Sequence, residues 1–329
     1  MNQIKLVFKW LWSKKIYFVL FNVSLLIFLV LVFPLEDLSE LITHQVSKNT
    51  NNQVYVQFDS MHMNVFNGVG LNIDQLMVET MWTPPLKARS LSVRPHIFSL
   101  LMKQPAGEIE ADGIFLGKMK VTLGKGTKSE SGLARHKLQI TADSLSLAEL
   151  SQTFALPLSM KGKLNVESQA QFDLALQEQP EMDVVIQANR LELPTFNIPT
   201  NLGDINIPDL KFQQVQIKGR LSNGNFIFED TKLGSPQDDL SASIKGSIGL
   251  QVKNSPAGLS PQPGSYSLDI ELLLKKSLET RAASFVTTLD TALSAFLQNY
   301  KSSSDQGTVM KFKVSGSSFQ DMPSFSQLK

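Results

Sequence analysis

Four histidines, His44, His62, His96 and His136, are the side chains of this sequence best suited to proton transfer or metal binding. No two of them stand three to five positions apart, the spacing that brings imidazoles together on one zinc ion. There is no cysteine, which removes disulfides, thiolate nucleophiles and thiolate metal ligands. Asp238-Asp239 and Glu108/Glu110 have the oxygen donors a hard cation prefers, but no EF-hand spacing accompanies them, and they read as solvated carboxylates of strands and turns. Neither a Gly-x-Ser-x-Gly elbow nor a P-loop is present, and Gly124-Lys-Gly126 shares only composition with a phosphate loop. No nucleophile, base and metal set can be assembled, so the expectation is a protein that is not an enzyme and carries no cofactor or metal.

What the sequence does organise is apolar surface. Ile16 to Leu35 is an uncharged run of 20 residues, the length that spans a hydrocarbon core of about 30 Å. Lys5, Lys9, Lys14 and Lys15 precede it, and Glu36, Asp37 and Glu40 follow. Positive charge stays on the cytoplasmic side, so residues 1–15 are expected to be a cytoplasmic tail, with residues 16–35 a single membrane anchor and the remainder outside. Ile16, Phe18, Leu25, Ile27, Val30 and Phe33 represent the lipid-facing set, and Trp10, Trp12 and Tyr17 suit the entry interface. The competing reading, a cleaved signal peptide, fits less well because the run exceeds a signal core and no small-residue cleavage site follows. Residues 36–52 carry Leu38, Leu41, Ile42 and Val46 at helical spacing and form a short helical linker, with Pro34 a kink point.

From Gln53 the apolar period changes from 3.6 to 2. Val54, Val56 and Phe58 alternate with polar residues, as do Val69, Leu71 and Ile73, then Leu76 and Val78. Longer sets follow: Leu164, Val166, Ser168, Ala170, Phe172, Leu174 and Leu176; Leu240 through Val252; and Tyr266 through Leu274. A strand of thirteen residues would be roughly 43 Å long, so the sheet is tall or bent. Ser222-Asn-Gly-Asn225 marks a tight hairpin. Ile97–Met102 suggests a short helix, and so do Leu145, Leu147, Leu150 and Phe154, capped by Asp143 or Ser144. Gly124–Arg135, Pro194–Pro208 and residues 254–264 read as loops, and Trp82–Pro85 as a connection. Phe285, Leu289, Leu293, Phe296 and Tyr300 form one stripe of a helix over 277–300, laid across the open side or end of the sheet. A strand over 309–314 and a loose tail end the chain.

The fold class is therefore mainly β. A long curved antiparallel sheet with a few short helices occupies residues 53–329 behind one membrane helix, with possible halves at 53–124 and 136–316. Net charge is +1 and no basic stripe with interleaved aromatics occurs, so nucleic acid is not an expected partner. The candidate site is the apolar face itself: Leu164, Val166, Phe172, Leu174, Ile244, Ile248, Leu250, Leu268, Ile270 and Leu272. It admits three readings, an ordinary closed core, an open groove available to lipid acyl chains, and a surface for a protein partner. Any long edge strand would also be open to pairing by a neighbour.

Three stretches together resemble a known family. They are Lys87–Leu101 with Gly107, Glu110 and Asp112-Gly113; Asp143–Leu147 with Gly162–Val166; and Phe196–Pro199 through Asp209–Phe212, Val215, Leu221, Asn223-Gly224, Asp239-Leu240 and Gly246. Behind a single anchor, this layout resembles GspN, the N component of bacterial type II secretion. The first stretch is also similar to AsmA-type periplasmic β proteins. The Gly-small-x-x-Pro element expected near the carboxyl end is only partly matched, since Val314-Ser-Gly316 is present but Pro323 stands farther off. The resemblance implies an accessory subunit of the secretion apparatus in the bacterial inner membrane, its β domain in the periplasm between inner- and outer-membrane components. Through the AsmA-type relatives it implies, as an alternative, a β groove that shields lipid chains. It supplies no catalytic residues.

Overall fold

In a computed structural model, residues 15–32, 38–64, 69–81, 84–102, 104–129, 131–156, 158–200, 203–255, 258–319, 321 and 323–328 are described. Two helices come first, α1 (Lys15–Val32) and α2 (Leu38–Asn49). The strands β1 (Val54–Gln57), β2 (Ser60–Asn64), β3 (Gly70–Thr80) and β4 (Leu86–Pro95) lead to a short α3 (Ile97–Leu101). Next come β5 (Gly107–Ile114), β6 (Gly117–Lys128), β7 (Ala134–Ser146), α4 (Leu147–Thr153), β8 (Lys161–Phe172) and β9 (Glu181–Leu193). A small hairpin, β10 (Phe196–Thr200) and β11 (Gly203–Ile207), precedes β12 (Leu210–Ser222), β13 (Asn225–Leu233), β14 (Leu240–Ser255) and β15 (Gly258–Lys275). The chain closes with α5 (Lys276–Arg281), α6 (Ala283–Ser294), β16 (Lys301–Ser304), β17 (Gly307–Gly316) and β18 (Ser324–Gln327).

Sixteen strands form one antiparallel sheet in the order β1-β3-β4-β5-β6-β7-β8-β9-β12-β13-β14-β15-β17-β16, with β2 also on β3 and β18 also on β17. Nearly every strand pairs with its neighbour in sequence, because short turns favour antiparallel hairpins over crossovers. Fourteen strands in line at about 4.8 Å spacing make a surface roughly 60 Å across. The sheet has two ends. The lower end carries the β3–β4 and β5–β6 connections, α4, β10–β11, α5 and α6. The upper end carries α3 and the β6–β7, β8–β9, β12–β13 and β14–β15 turns.

Alternation along the strands is not uniform, and its interruptions curve the sheet. Gln75 on β3, Ser144 on β7 and Arg190 on β9 have φ of 54°, 55° and 52°, and Gly113 at the end of β5 has 81°. Pairing registers shift beside Gly113, beside Ser144 and between Lys161 and Lys163. These irregularities lie on neighbouring strands toward the lower end. Each extra residue turns the following side chain to the opposite face and adds local twist.

The margins of the sheet are short. β1, β16 and β18 have four residues each and β2 has five. At the two margins no long edge strand is left open among the described residues, so the unpaired edge that remains for strand addition is the part of β15 before Tyr266. Thr43 on α2 donates its hydroxyl to the Val56 carbonyl at 2.7 Å, so the linker helix occupies the β1 edge. At the upper end β14 and β15 extend beyond their neighbours as a two-stranded ribbon. The Gln179 side chain accepts from the Val252 N–H at 2.9 Å and donates to its carbonyl at 3.2 Å, acting as a missing strand.

Several expectations are corrected. The loop expected at 124–135 is strand to Lys128 and again from Ala134, leaving a tight turn. The Pro/Gly segment 254–264 is mostly β15, which tolerates Pro261 and Pro263 because β17 pairs with β15 only from Tyr266 onward, so no N–H is required there. The Pro194–Pro208 patch contains the β10–β11 hairpin. The helix after β7 is capped by Ser146, whose Oγ accepts from Glu149 N–H, rather than by Asp143 or Ser144. The helix expected over 277–300 is two helices broken at Ala282 (φ −126°, ψ 45°) and ended at Ser294. The tail pairs with β17 as β18.

The apolar N-terminal run is helical over the 18 residues of α1, about 27 Å, and among the described residues no helix is long and apolar enough to cross a membrane. Ile16, Phe18, Leu25, Ile27 and Val30 lie on α1. Phe33, Pro34, Leu35, the flanking charges from Lys5 to Lys14 with Glu36 and Asp37, the tryptophans Trp10 and Trp12, and Trp82-Thr83 lie outside the described residues.

Candidate functional site

Cross-strand pairing shows how far the apolar face extends. Ile73 on β3 faces Leu91 on β4, then Ala111, Met119, Ala142 and Val166 on successive strands. The row continues from Val166 through Ile186, Ile217, Thr231, Ile244 and Ile270 to Phe312 on β17. A parallel row nearer the upper end includes Leu71, Val93, Ile109, Val121 and Ile140, then Val184, Leu268 and Val314. Neither row contains a charged residue. Directly opposed apolar pairs of this kind each stabilise a sheet by a few tenths to about 1 kcal/mol.

The reverse face is a charged ladder. Glu108 lies 3.0 Å from Arg94 and 2.8 Å from Lys120, Arg220 lies 2.7 Å from Asp183, and Lys311 lies 2.9 Å from Glu271. The Lys120 hydrogen bond, despite the opposing cost of burial, holds the Glu108 carboxyl below its usual range. Most side chains of this ladder are well exposed, whereas Val166, Ile186, Ile217, Ile244 and Ile270 are half-buried. We infer from this difference that the sheet curls toward its apolar side, since side chains crowd on a concave face and spread on a convex one.

The largest fully buried side chains share one corner. Leu274, Leu278 and Met310 are 0%, 0% and 1% exposed. Around them pack Leu147 from α4, Phe212 and Val215 from β12, Leu293 from α6, Leu297 and Tyr300. Polar ties hold the lid in place. Arg281 on α5 pairs with Asp209 and, at 2.9 Å, with Asp239. The Tyr300 hydroxyl donates to the Asp290 carbonyl at 2.9 Å and to its carboxylate. Burial and the Asp290 carboxylate raise the Tyr300 pKa to about 12. The helices therefore close the sheet at its lower end between β9 and β17, and on the rest of the apolar face most larger side chains are half-buried, with Met61, Leu145, Leu221 and the small Ala111 and Ala142 among the buried exceptions.

Two polar groups interrupt the apolar lining. Thr231 is 3% exposed, and its hydroxyl has no hydrogen-bond partner. His136, opposite Phe172, has a buried Nδ1 without one. At the upper rim, Asp173 follows β8 and accepts from the N–H groups of Gln177 at 3.1 Å and Glu178 at 3.0 Å. Burial pushes its carboxyl up, but these donors prevail and its pKa is lowered.

Of the residues singled out from sequence, Val166, Ile244 and Ile270 lie in the first row, and Leu268 lies in the second. Leu164 and Leu272 face the lidded corner, packed against its core, while Ile248 opposes Phe226 and Tyr266. Phe172 ends β8 at the upper rim, and Leu250 opposes Pro263 in the ribbon. Leu174 is a correction: β8 stops at Phe172, so Leu174 sits in the turn and is 61% exposed. The sequence list missed the first half of the face, Leu91, Ala111 and Met119, and the central Ile186 and Ile217. Their short alternating runs were legible, but the irregularities at Gln75 and Gly113 hid their common side. The carboxylates considered for a cation have protein partners. Asp238 accepts from Gln213 and Ser235 N–H groups at 3.0 and 2.7 Å, and Asp239 accepts from Ser277 and Arg281. His44 lies on α2, His62 on β2 lies 3.6 Å from Asp74, and His96 follows β4. Set against family models, curated proteins and solved structures, the chain matches none of them.

Proposed function

We propose that this protein is a membrane-tethered carrier or shield for lipid acyl chains, held along the concave face of its sheet. The observation that carries the reading is the charge-free rows crossing the sheet from β3 to β17, whose larger side chains are mostly half-buried and which the α5–α6 lid covers at one corner. Moving a methylene group out of water gains about 0.8 kcal/mol. A chain of about 12 carbons laid along these rows would gain roughly 10 kcal/mol over water, but little over a bilayer. Such a near balance suits a conduit or a carrier better than a high-affinity store. The tether in this reading is α1 with its flanking residues, amino end in the cytoplasm and sheet on the far side of a bacterial inner membrane. In support, the apolar side chains described on α1, from Tyr17 to Phe28, are exposed.

The test is mass spectrometry of lipids retained by the purified chain. Phospholipid in the native protein, and its loss in Ile244→Asp/Ile248→Asp with the fold intact, is the expected result. A lipid-free native protein would count against the reading. The scaffold role in type II secretion is proposed from the resemblance alone, and chemical crosslinking in membranes tests it. Recovery without any secretion subunit would count against that role.

A further inference from the structure

Two hairpin turns of one geometry stand at opposite ends of the sheet. At the upper end Asn223-Gly224 joins β12 to β13, with φ of 50° and 72°. At the lower end Phe115-Leu116 joins β5 to β6, with φ of 47° and 60°. Two successive left-handed residues suit Asn-Gly, whereas a Cβ carrying a bulky side chain is crowded there. The fold thus accepts steric strain at the lower turn; Phe115 is half-buried beside Phe154, but at Leu116 packing is not what the strain gains, because that side chain is 66% exposed. Strain retained at an exposed apolar position points to a function of that position.

The turn is one part of a rim. Met81, 78% exposed, follows β3, and the exposed Phe154 and Leu156 follow α4. Sheet order sets these three connections side by side. The Phe115 ring lies 5.9 Å from that of Phe154, and the Phe115 carbonyl accepts the Ser146 N–H at 2.8 Å. Lys87 and Lys118, both exposed, are the second residues of β4 and β6, directly behind the tips. Lys118 also lies 3.9 Å from Asp112. Apolar tips backed by long ammonium side chains fit a bilayer interface, with the tips among the upper acyl segments and the lysines at the phosphates. We propose that Met81, Leu116, Phe154 and Leu156 form a membrane-contact rim whose occupant is the phospholipid bilayer surface. The proposal depends on the tether only to bring the chain to a membrane, and it is independent of what the concave face holds.

Because the chain has no cysteine, a single introduced thiol reports one site. The full chain, carrying an environment-sensitive dye at Leu116→Cys, Met81→Cys or Leu174→Cys, is reconstituted into phosphatidylethanolamine/phosphatidylglycerol vesicles with or without acyl-brominated lipid. Flotation is checked first. The expected result is at least twofold bromine quenching at Leu116 and Met81 and none at Leu174, on the opposite end. Leu116→Gly, which keeps the Phe115–Phe154 contact, should halve the quenching at Met81 while raising the melting temperature by about 2–4 °C, since the strain is relieved. Absence of quenching at Leu116 in vesicles that float with the chain would overturn the rim and leave the tether standing. Equal quenching at Leu174 would overturn it too, because the sheet would then lie flat on the bilayer. A lower melting temperature in Leu116→Gly would show Leu116 to be packed structure and remove the strain on which the rim rests. A chain that does not float would overturn rim and tether together.

Discussion

Leu274 and Ile270 sit four residues apart on β15 and face the same side, yet Leu274 is fully buried while Ile270 is only half-buried. The strand is the same and the chemistry nearly so. What differs is the depth of cover: α5 and α6 close over Leu274, whereas Ile270 packs at the margin of the same core. Alternation therefore states which face of a sheet is apolar, and only the elements packed on it decide whether that face is a core or a surface awaiting an occupant.

The sharpest break in this comparison should come from Leu278→Asp, which places an unpaired charge in the lidded corner. Loss of the folded domain, at a cost of roughly 4 kcal/mol or more, is expected in circular dichroism and denaturant titration. Leu274→Ala should cost about 3–5 kcal/mol and Ile270→Ala about 1–2 kcal/mol, because only the first leaves a closed cavity. Equal costs would mean that both regions are core. Asp173→Ala should cost about 1–2 kcal/mol by orphaning two N–H donors at the upper turn. The folded Asp173 pKa is depressed, so its contribution is complete above the unfolded carboxyl value near about 4 and disappears as pH falls through the folded value. The stability gap between native protein and Asp173→Asn should close in that acid window. Arg281→Ala should have the smallest effect, about 0.5–1 kcal/mol, since its pairs with Asp209 and Asp239 are well exposed. Asp239 is likewise held low, by the Ser277 hydroxyl and then Arg281, so this tie also weakens only on acidification.

Much of the fold was legible because long strands with a dry face write a period of two into the chain. Leu240–Val252 and Tyr266–Leu274 show it, and Asn223-Gly224 marks its turn by residue type alone. The site was legible in part. Val166, Ile244 and Ile270 were recognised from their own strands, but their continuity with Leu91 and Met119 depends on bulges at residues such as Ser144 and Arg190, whose left-handed φ is not required by their side chains. Leu174 kept the period for one residue after the ladder had ended, since Asp173 turns the backbone through its own hydrogen bonds. The lid was half visible: the stripe Phe285, Leu289 and Leu293 is helical, but Tyr300 reaches the core from beyond the helix. Phe115-Leu116 gave no turn signal, because nothing in its composition suits the geometry it adopts.

The central claim, that the concave face holds acyl chains, is tested most directly by photocrosslinking. The full chain in membranes containing a diazirine-tailed phospholipid is irradiated, and the adducts are mapped by peptide mass spectrometry. Acyl adducts on peptides of the concave row, around Val166, Ile186, Ile217, Ile244 and Ile270, are the predicted result. Adducts confined to the α1 helix, with none on the sheet, would contradict it.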